Sequence, residues 1–480
     1  MLNMEQWARE WLKEQRDQGV KCLEVKTRGK NHYIYHSTTY WDKELKKPRK
    51  TSKYLGKLDS DKGLIESGER TKIQPSNIRN ITEYGNSMLL HEMMRDFMPL
   101  LRNGFPDCWK EICVLAMVRV TGIVPIKRVK DAWEKLYDVD GIKPHLNTKN
   151  LSKVLHKVGI NRAGQNIIFN YLVDQSKQLV YDLSSFFSRS INISQAERGY
   201  NKDKIQVPQI NLALLCNADS GLPMMIRSLP GSVKDIKTLY HSINELELDG
   251  KILVLDRGFF STDVVEFLDD KNIAYVLPTR RNSHFYDVRI HLNGHLYYHD
   301  RLIRCGKREC DDFFLYLYED QDLMLEERKT LYRKMDDGKI DKKKLRERME
   351  KAGKILILSN LDVDEAEIYE IYKRRETVEK MFDTYKTVLE ADKIYLQDDE
   401  GVFGHVFISF LSLYIHCKLE QVLKKGELSR EMTPIDLLFK YGKVYHVDMG
   451  DRDMITEVPK KVVDLEERLG LDIFPKVIRS

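Results

Sequence analysis

KQLVYDLSSFF, residues 177–187, and GKILVLDRGFFS, residues 250–261, are the stretches on which the fold turns. Each is an apolar, β-prone run that carries one aspartate, Asp182 within the first and Asp256 at the end of the second. Aspartate is depleted in strands and is seldom buried unless a cation, several hydrogen bonds or a metal ion neutralises it. Two readings are open for each residue. It caps the turn that follows its strand, or it is a carboxylate placed for chemistry.

The sequence around these runs orders them. After Asp182 comes a loop over Ser188–Lys204, then the strand pattern QINLALLC, the turn NADSGLP and the strand pattern MMIRSL. A Pro230-Gly231 break opens a helix through about Leu246, followed by KILVLD, a helix over Thr262–Asp270 and the strand AYVLP. Three hairpin-linked strands, then helix, strand, helix, strand predict a mixed five-stranded sheet with helices packed on it. That is the order of a ribonuclease-H-like core. Its first and fourth strands are neighbours, so Asp182 and Asp256 would meet across a strand spacing of about 4.8 Å.

A third carboxylate lies in IYKRRETVEKMFDTYKTVLE, residues 371–390. On one regular helix, Tyr372, Arg375, Glu379 and Lys386 share an arc of about 60°. An apolar stripe of Ile371, Val378, Phe382, Tyr385 and Leu389 runs beside it. Such a helix packs by one face and presents a carboxylate flanked by two cations and a phenol. The pattern also suits an amphipathic helix with a charged shoulder, Lys386 then being a surface lysine.

The chain has 480 residues, 42% of them hydrophobic, enough for about three domains with a sizeable core. The longest apolar stretch, Val406–Leu419, is interrupted by His416 and Lys418 and is too short for a membrane span of about 20 residues. The first residues are charged throughout and do not read as a secretion signal. Seven scattered cysteines suit a reducing compartment, and Cys305 with Cys310 lacks the second pair of a zinc site. His291, His295 and His299 read as a surface hairpin.

The net charge of +5 is uneven. Residues 21–58 hold eleven Lys or Arg against Glu24, Asp42 and Glu44. Their alternation predicts a three-stranded sheet with a cationic tip at Lys46, Lys47, Arg49 and Lys50, fit for a nucleic-acid backbone or simply a solvated edge. The whole divides as follows: 1–76, a basic β-sheet region expected to bind DNA, with a polar connector from Asp59 to Ser76; 77–172, a helical DNA-binding or linking domain; 173–280, the first part of the core; 281–360, an inserted β-rich subdomain with a charged helical pair; 361–425, the second part of the core with the glutamate helix; 426–480, a C-terminal region expected to make dimer contacts. The fold class is thus α+β and multidomain.

With these motifs assembled, the sequence resembles the insertion-sequence transposases that carry a DDE triad. It is most similar to the insertion-sequence-4 superfamily and, within it, to the insertion-sequence-1634 type. Tyr372, Arg375, Glu379 and Lys386 reproduce that family's Tyr, Arg, Glu and Lys signature, while YDLSSFF, VLDRGFFS and SLPGSVKDIKTL (with Asp235 in its acidic position) look like its aspartate and Pro-Gly segments. Ser184 stands where many relatives have Thr, and Ser232 where Asn is common. The resemblance implies that Asp182, Asp256 and Glu379 are catalytic metal ligands for two Mg²⁺ ions, with Mn²⁺ able to substitute. It implies that Tyr372, Arg375 and Lys386 contact DNA, and that the substrates are the terminal inverted repeats and target DNA. A homodimer would join two ends in one event, in the cytoplasm of a prokaryote at the nucleoid, with no membrane involved. Some relatives hold a flipped base on a Trp in the inserted subdomain. Here Trp7, Trp11, Trp41, Trp109 and Trp133 all precede the core, leaving Tyr286, Tyr297 or Tyr298 for that task. Two other readings share the motifs: an inactive, domesticated DNA-binding relative, and a metal-dependent nuclease without strand transfer.

Overall fold

Alternation of apolar residues builds the first of two compact units, Met1–Ile78 and Arg79–Ser480. The computed structural model describes residues 5–28, 31–42, 46–60, 63–66, 78–188, 190–199, 207–232, 235–392, 396, 398–450 and 452–474. Most of the expected connector, residues 43–45 of the basic turn and the end of the loop after Asp182 lie outside these.

In the first unit, helix α1 (Gln6–Asp17) precedes strands β1 (Leu23–Arg28), β2 (Asn31–Asp42), β3 (Lys47–Asp59) and β4 (Gly63–Glu66). They form one antiparallel sheet in chain order. The three-stranded expectation falls short by one strand and by the helix. Ala8, Ile34 and Leu58 are buried together, with Trp7, Trp11, Leu23, Val25 and Leu64 packed around them. Leu23 and Val25 are two residues apart on β1 and Val25 is the partner of Ile34, so the three share a face, and α1 covers it.

The second unit opens with β5 (Asn80–Glu83) and helices α2 (Tyr84–Met94), α3 (Phe97–Gly104), α4 (Trp109–Thr121), α5 (Val129–Trp133), α6 (Thr148–Ile160) and α7 (Arg162–Asp174). Then come β6 (Gln178–Phe187), β7 (Gln209–Asn217), β8 (Pro223–Pro230), α8 (Asp235–Asn244), β9 (Ile252–Leu255), α9 (Thr262–Asp270) and β10 (Ala274–Pro278). The strand order β10-β9-β6-β7-β8 is the one read from the sequence. β6 and β9 pair in parallel, as do β9 and β10, while β6-β7 and β7-β8 are antiparallel. β7, flanked on both sides, is buried along nearly its whole length, hence its unbroken apolar pattern.

The segment after β10 departs from the expected separate subdomain. Strands β11 (Gly294–Tyr298), β12 (Arg301–Glu309) and β13 (Phe314–Asp320), helices α10 (Gln321–Asp336) and α11 (Lys342–Glu350), and β14 (Lys354–Ser359) follow. β14 pairs antiparallel with β10, so these strands extend the core sheet to nine, in the order β11-β12-β13-β14-β10-β9-β6-β7-β8. The edge of β10 would otherwise present unpaired backbone groups, and β14 covers it. The His-rich stretch is a hairpin of β11 and β12, turned at His299 and Asp300, both with positive φ (47° and 63°).

The chain continues through α12 (Glu365–Lys373), α13 (Glu376–Asp383), α14 (Asp399–Lys425), α15 (Pro434–Tyr441), β15 (Tyr445–Asp448), β16 (Asp453–Ile455) and α16 (Lys460–Leu469). β15 pairs with both β16 and β5, so the C-terminal region closes onto the start of the helical one. α14 is longer than the apolar stretch suggested. It is long and apolar enough to cross a membrane by composition, yet 83% of its apolar window is buried against protein. It packs on α6, α4 and β8, and one apolar core runs from the helical region through the sheet to α16.

Candidate active site

The register of the two parallel strands brings the aspartates together. Tyr181 is the partner of Leu255 in the last paired position of β6 and β9. Asp182 and Asp256 are the next residues on each strand. Asp182 is only 8% exposed, and its Oδ1 accepts from the Leu183 backbone N–H at 2.8 Å. Asp256 precedes a single helical turn, Arg257–Phe259, but its side chain makes no capping hydrogen bond. The turn-capping reading of Asp256 therefore fails. Arg280, which carries no motif of its own, braces this turn by donating to the Gly258 carbonyl at 2.7 Å.

The glutamate segment is not one regular helix. The Arg374 and Arg375 N–H groups donate to the Ile371 and Tyr372 carbonyls three residues back, which tightens the join between α12 and α13. Thr384–Val388 is a wider π turn. Ile371, Val378, Phe382, Tyr385 and Leu389 are each at most 7% exposed, so the expected stripe is in the core despite the changes in winding. Such π turns recur at functional sites. α13 packs against β6 and β7, and Glu379 lies in its first turn, where the helix dipole favours a carboxylate.

Arg375 ties the acidic groups together. Its guanidinium pairs with Asp256 Oδ1 at 3.2 Å and with Glu379 Oε1 at 3.2 Å. Burial works against the charge, but Asp256, Tyr372, Glu379 and Asp182 outweigh it and raise Arg375 above its ordinary pKa. Tyr372 lies alongside. Burial pushes its hydroxyl up, Arg375 and Arg257 pull it down, and Asp256 pushes it up again. Lys386 Nζ reaches back to β6, donating to Ser184 Oγ at 2.8 Å and to the Ser185 carbonyl at 2.7 Å. It is not a free surface lysine. Ser184 thus acts as an acceptor for Lys386, a role that no spacing or pattern in the chain announces. Arg375 and Tyr372 thus lie beside Asp256, Glu379 is joined to them through Arg375, and Lys386 is anchored on β6 two and three residues beyond Asp182.

Three carboxylates, all oxygen, are a donor set of the kind that suits a hard divalent cation. Their oxygens do not close on one another within 4.8 Å. Among the described residues, His156, Asp398 and Glu400 are the group of three that does. That cluster joins α6 to the start of α14. There Asp398 Oδ1 already caps α14 through the Gly401 N–H at 2.7 Å.

Of the tyrosines expected to stack on a base, Tyr286 hydrogen-bonds the Lys354 carbonyl at 3.4 Å and Tyr298 packs edge-on against Tyr369. Tyr297 is 73% exposed. Lys46, Lys47, Arg49 and Lys50 lie exposed at the β2-β3 turn and on β3 in the other unit. Lys50 pairs with Glu24 at 2.7 Å and Arg49 with Asp42 at 3.5 Å.

No curated protein matches the chain in sequence. Among solved structures, a piggyBac transposase synaptic complex with hairpin DNA aligns over 84% of this chain and 83% of that one, with 13% identity and a TM-score of 0.36. This likeness is too low to build on. The family described as the transposase DDE domain matches residues 173–415, just over half of the chain and the stretch that holds all three carboxylates, and the chain belongs to that family.

Proposed function

We propose that this protein is an active DNA transposase of the insertion-sequence-4 superfamily, of the insertion-sequence-1634 type. It binds the terminal inverted repeats of its element, cuts the ends by phosphodiester hydrolysis and joins the freed 3′-OH to target DNA. One observation carries the reading: two aspartates adjacent across parallel strands, with Arg375 shared between one of them and Glu379. A purely structural sheet end has little use for that much negative charge.

In this reading Asp182, Asp256 and Glu379 hold two Mg²⁺ ions, replaceable by Mn²⁺, which supply Lewis-acid stabilisation of phosphate charge and a more acidic attacking water. The first step breaks a P–O3′ bond at the element's end and leaves a 3′-OH. In the second, that hydroxyl oxygen attacks a target phosphorus and displaces another 3′ oxygen. Lys386 and Arg375 grip the phosphates beside the cut, and Tyr372 adds a hydrogen bond. Lys46, Lys47, Arg49 and Lys50 bind the backbone of the ends. Joining two ends calls for two copies of the chain, and the setting is the prokaryotic nucleoid.

The test is incubation of purified protein with Mg²⁺ and DNA carrying the element's own termini. Cleavage with strand transfer is the expected result. Cleavage without joining would reduce the protein to a nuclease, and binding without cleavage to an inactive relative.

A further inference from the structure

α1 covers one face of the N-terminal sheet, and among the described residues the opposite face is open. Register puts Lys26 beside Tyr33, Tyr35 beside Tyr54, and Tyr33 beside Lys57 on that face. The Tyr54 ring lies 5.2 Å from Tyr35 and 6.2 Å from Tyr33, and Lys26 Nζ sits 4.5 Å above the Tyr35 ring. Tyr54 is 38% exposed. On the same face Lys50 pairs with Glu24, to which the Ser37 hydroxyl also donates a hydrogen bond. A cluster of aromatic rings ringed by lysines on an uncovered sheet is a contact surface, not a solvated edge.

We propose that this open face is where double-stranded DNA docks, with β2 and β3 entering the major groove. The charge is complementary, since residues 21–58 carry eleven Lys or Arg against three acids. The shape agrees as well: past His36 on β2 and before Gly56 on β3 the two strands, among the described residues, pair only with each other, and such a two-stranded ribbon fits a major groove about 12 Å wide. Lysines at the margins reach phosphates while the tyrosine and serine hydroxyls face base edges. This deepens the transposase reading and rests on it.

The test measures binding of the full chain, without divalent metal, to a short mixed-sequence duplex and to one of its single strands over a range of salt. Replacing Lys26 and Lys57 by Ala should flatten the log-log salt slope by about 0.9 for each phosphate no longer neutralised. Replacing Tyr35 and Tyr54 by Ala should weaken duplex binding by about tenfold, the loss of one or two hydrogen bonds, and a Lys342→Ala, Lys343→Ala control on α11 should stay within about twofold. Unchanged duplex binding in both test variants, or tighter binding of the single strand, overturns the proposal. Should the tyrosine variant unfold, the lysine variant decides, because both side chains are exposed. A wild type that binds no DNA would instead sink the transposase reading.

A second inference comes from the other unit. Arg375 bridges Asp256 and Glu379, where a divalent ion would compete for the same oxygens. We infer that Arg375 is a displaceable cation that holds the carboxylates in the metal-free protein and is released to DNA phosphate when metal enters. Metal and DNA then favour each other by linkage. This too rests on the proposed site. Mn²⁺ binding followed by electron paramagnetic resonance without DNA should be about tenfold tighter in Arg375→Ala than in wild type, with Arg375→Lys between them. Adding duplex should narrow the gap. Equal or weaker Mn²⁺ binding in Arg375→Ala overturns the inference, whereas Mn²⁺ binding untouched by Asp182→Ala overturns the site itself.

Discussion

Two sheets in this molecule carry charge, and they carry it differently. At the end of β6 and β9, acids and bases are packed against one another: Arg375 spans two carboxylates and Lys386 is held by β6. On the N-terminal sheet, most lysines face solvent, and their pairs with acids are exposed and weak. The first arrangement fixes side chains to within hydrogen-bond distance, as bond-breaking chemistry demands. The second keeps an exposed positive surface, which suits the long polyanion proposed as its ligand. One region is built for geometry and the other for attraction.

The comparison breaks most visibly if acids and bases can be removed from either region with the same result. Asp182→Ala, Asp256→Ala and Glu379→Ala should each cut strand cleavage by about a thousandfold or more, since each removes several kcal/mol of charge stabilisation. Duplex binding by gel shift should change less than about twofold. Next in size is Lys386→Ala. Without its charge-assisted bond to Ser184 and its grip on phosphate, cleavage should slow by about tenfold to a hundredfold. Ser184→Ala, which keeps the lysine, should cost only a few-fold. Joint replacement of Lys47, Arg49 and Lys50 by Ala should do the reverse of the carboxylate variants. It should lower end affinity and reduce the salt slope by about 0.9 for each phosphate left to its counterions, while leaving the rate at saturating DNA near wild type.

The sheet core and the neighbouring positions of Asp182 and Asp256 were legible because strand patterns with a misplaced aspartate are rare and the order of elements restricts topology. Tyr372, Arg375, Glu379 and Lys386 were legible as a set, but their shared helix was not. A 3.6-residue period cannot report the tight turn at Arg374–Arg375 or the π turn at Thr384–Val388. The continuation of the sheet from β10 into β14 was hidden for a different reason. Pairing between strands separated by two helices and a three-strand meander is decided by which edge lies open, and local pattern is blind to that. Arg280 escaped notice, and Ser184 was noticed only as a departure from its relatives and not as a partner of Lys386, because single polar residues have no period.

A further prediction concerns stability and not cleavage. His405 is packed between the Arg119 guanidinium and the Ala391 carbonyl. Burial, then Arg119, lowers its pKa to about 3. A folded-state value below the unfolded one of about 6.5 means the unfolded chain takes up the proton first. The His405 contribution to stability is therefore complete above about pH 6.5 and is lost as pH falls toward 3, at up to about 1.4 kcal/mol per pH unit. Denaturant titrations at several pH values should show this slope, and it should flatten in His405→Asn.

The most direct test of the central claim is a crystal structure of the protein soaked with Mn²⁺, with the ion located by its anomalous scattering. The account predicts peaks among Asp182, Asp256 and Glu379, with Arg375 moved off at least one carboxylate. Manganese bound only at His156, Asp398 and Glu400, with the bridge from Asp256 through Arg375 to Glu379 intact, would contradict it.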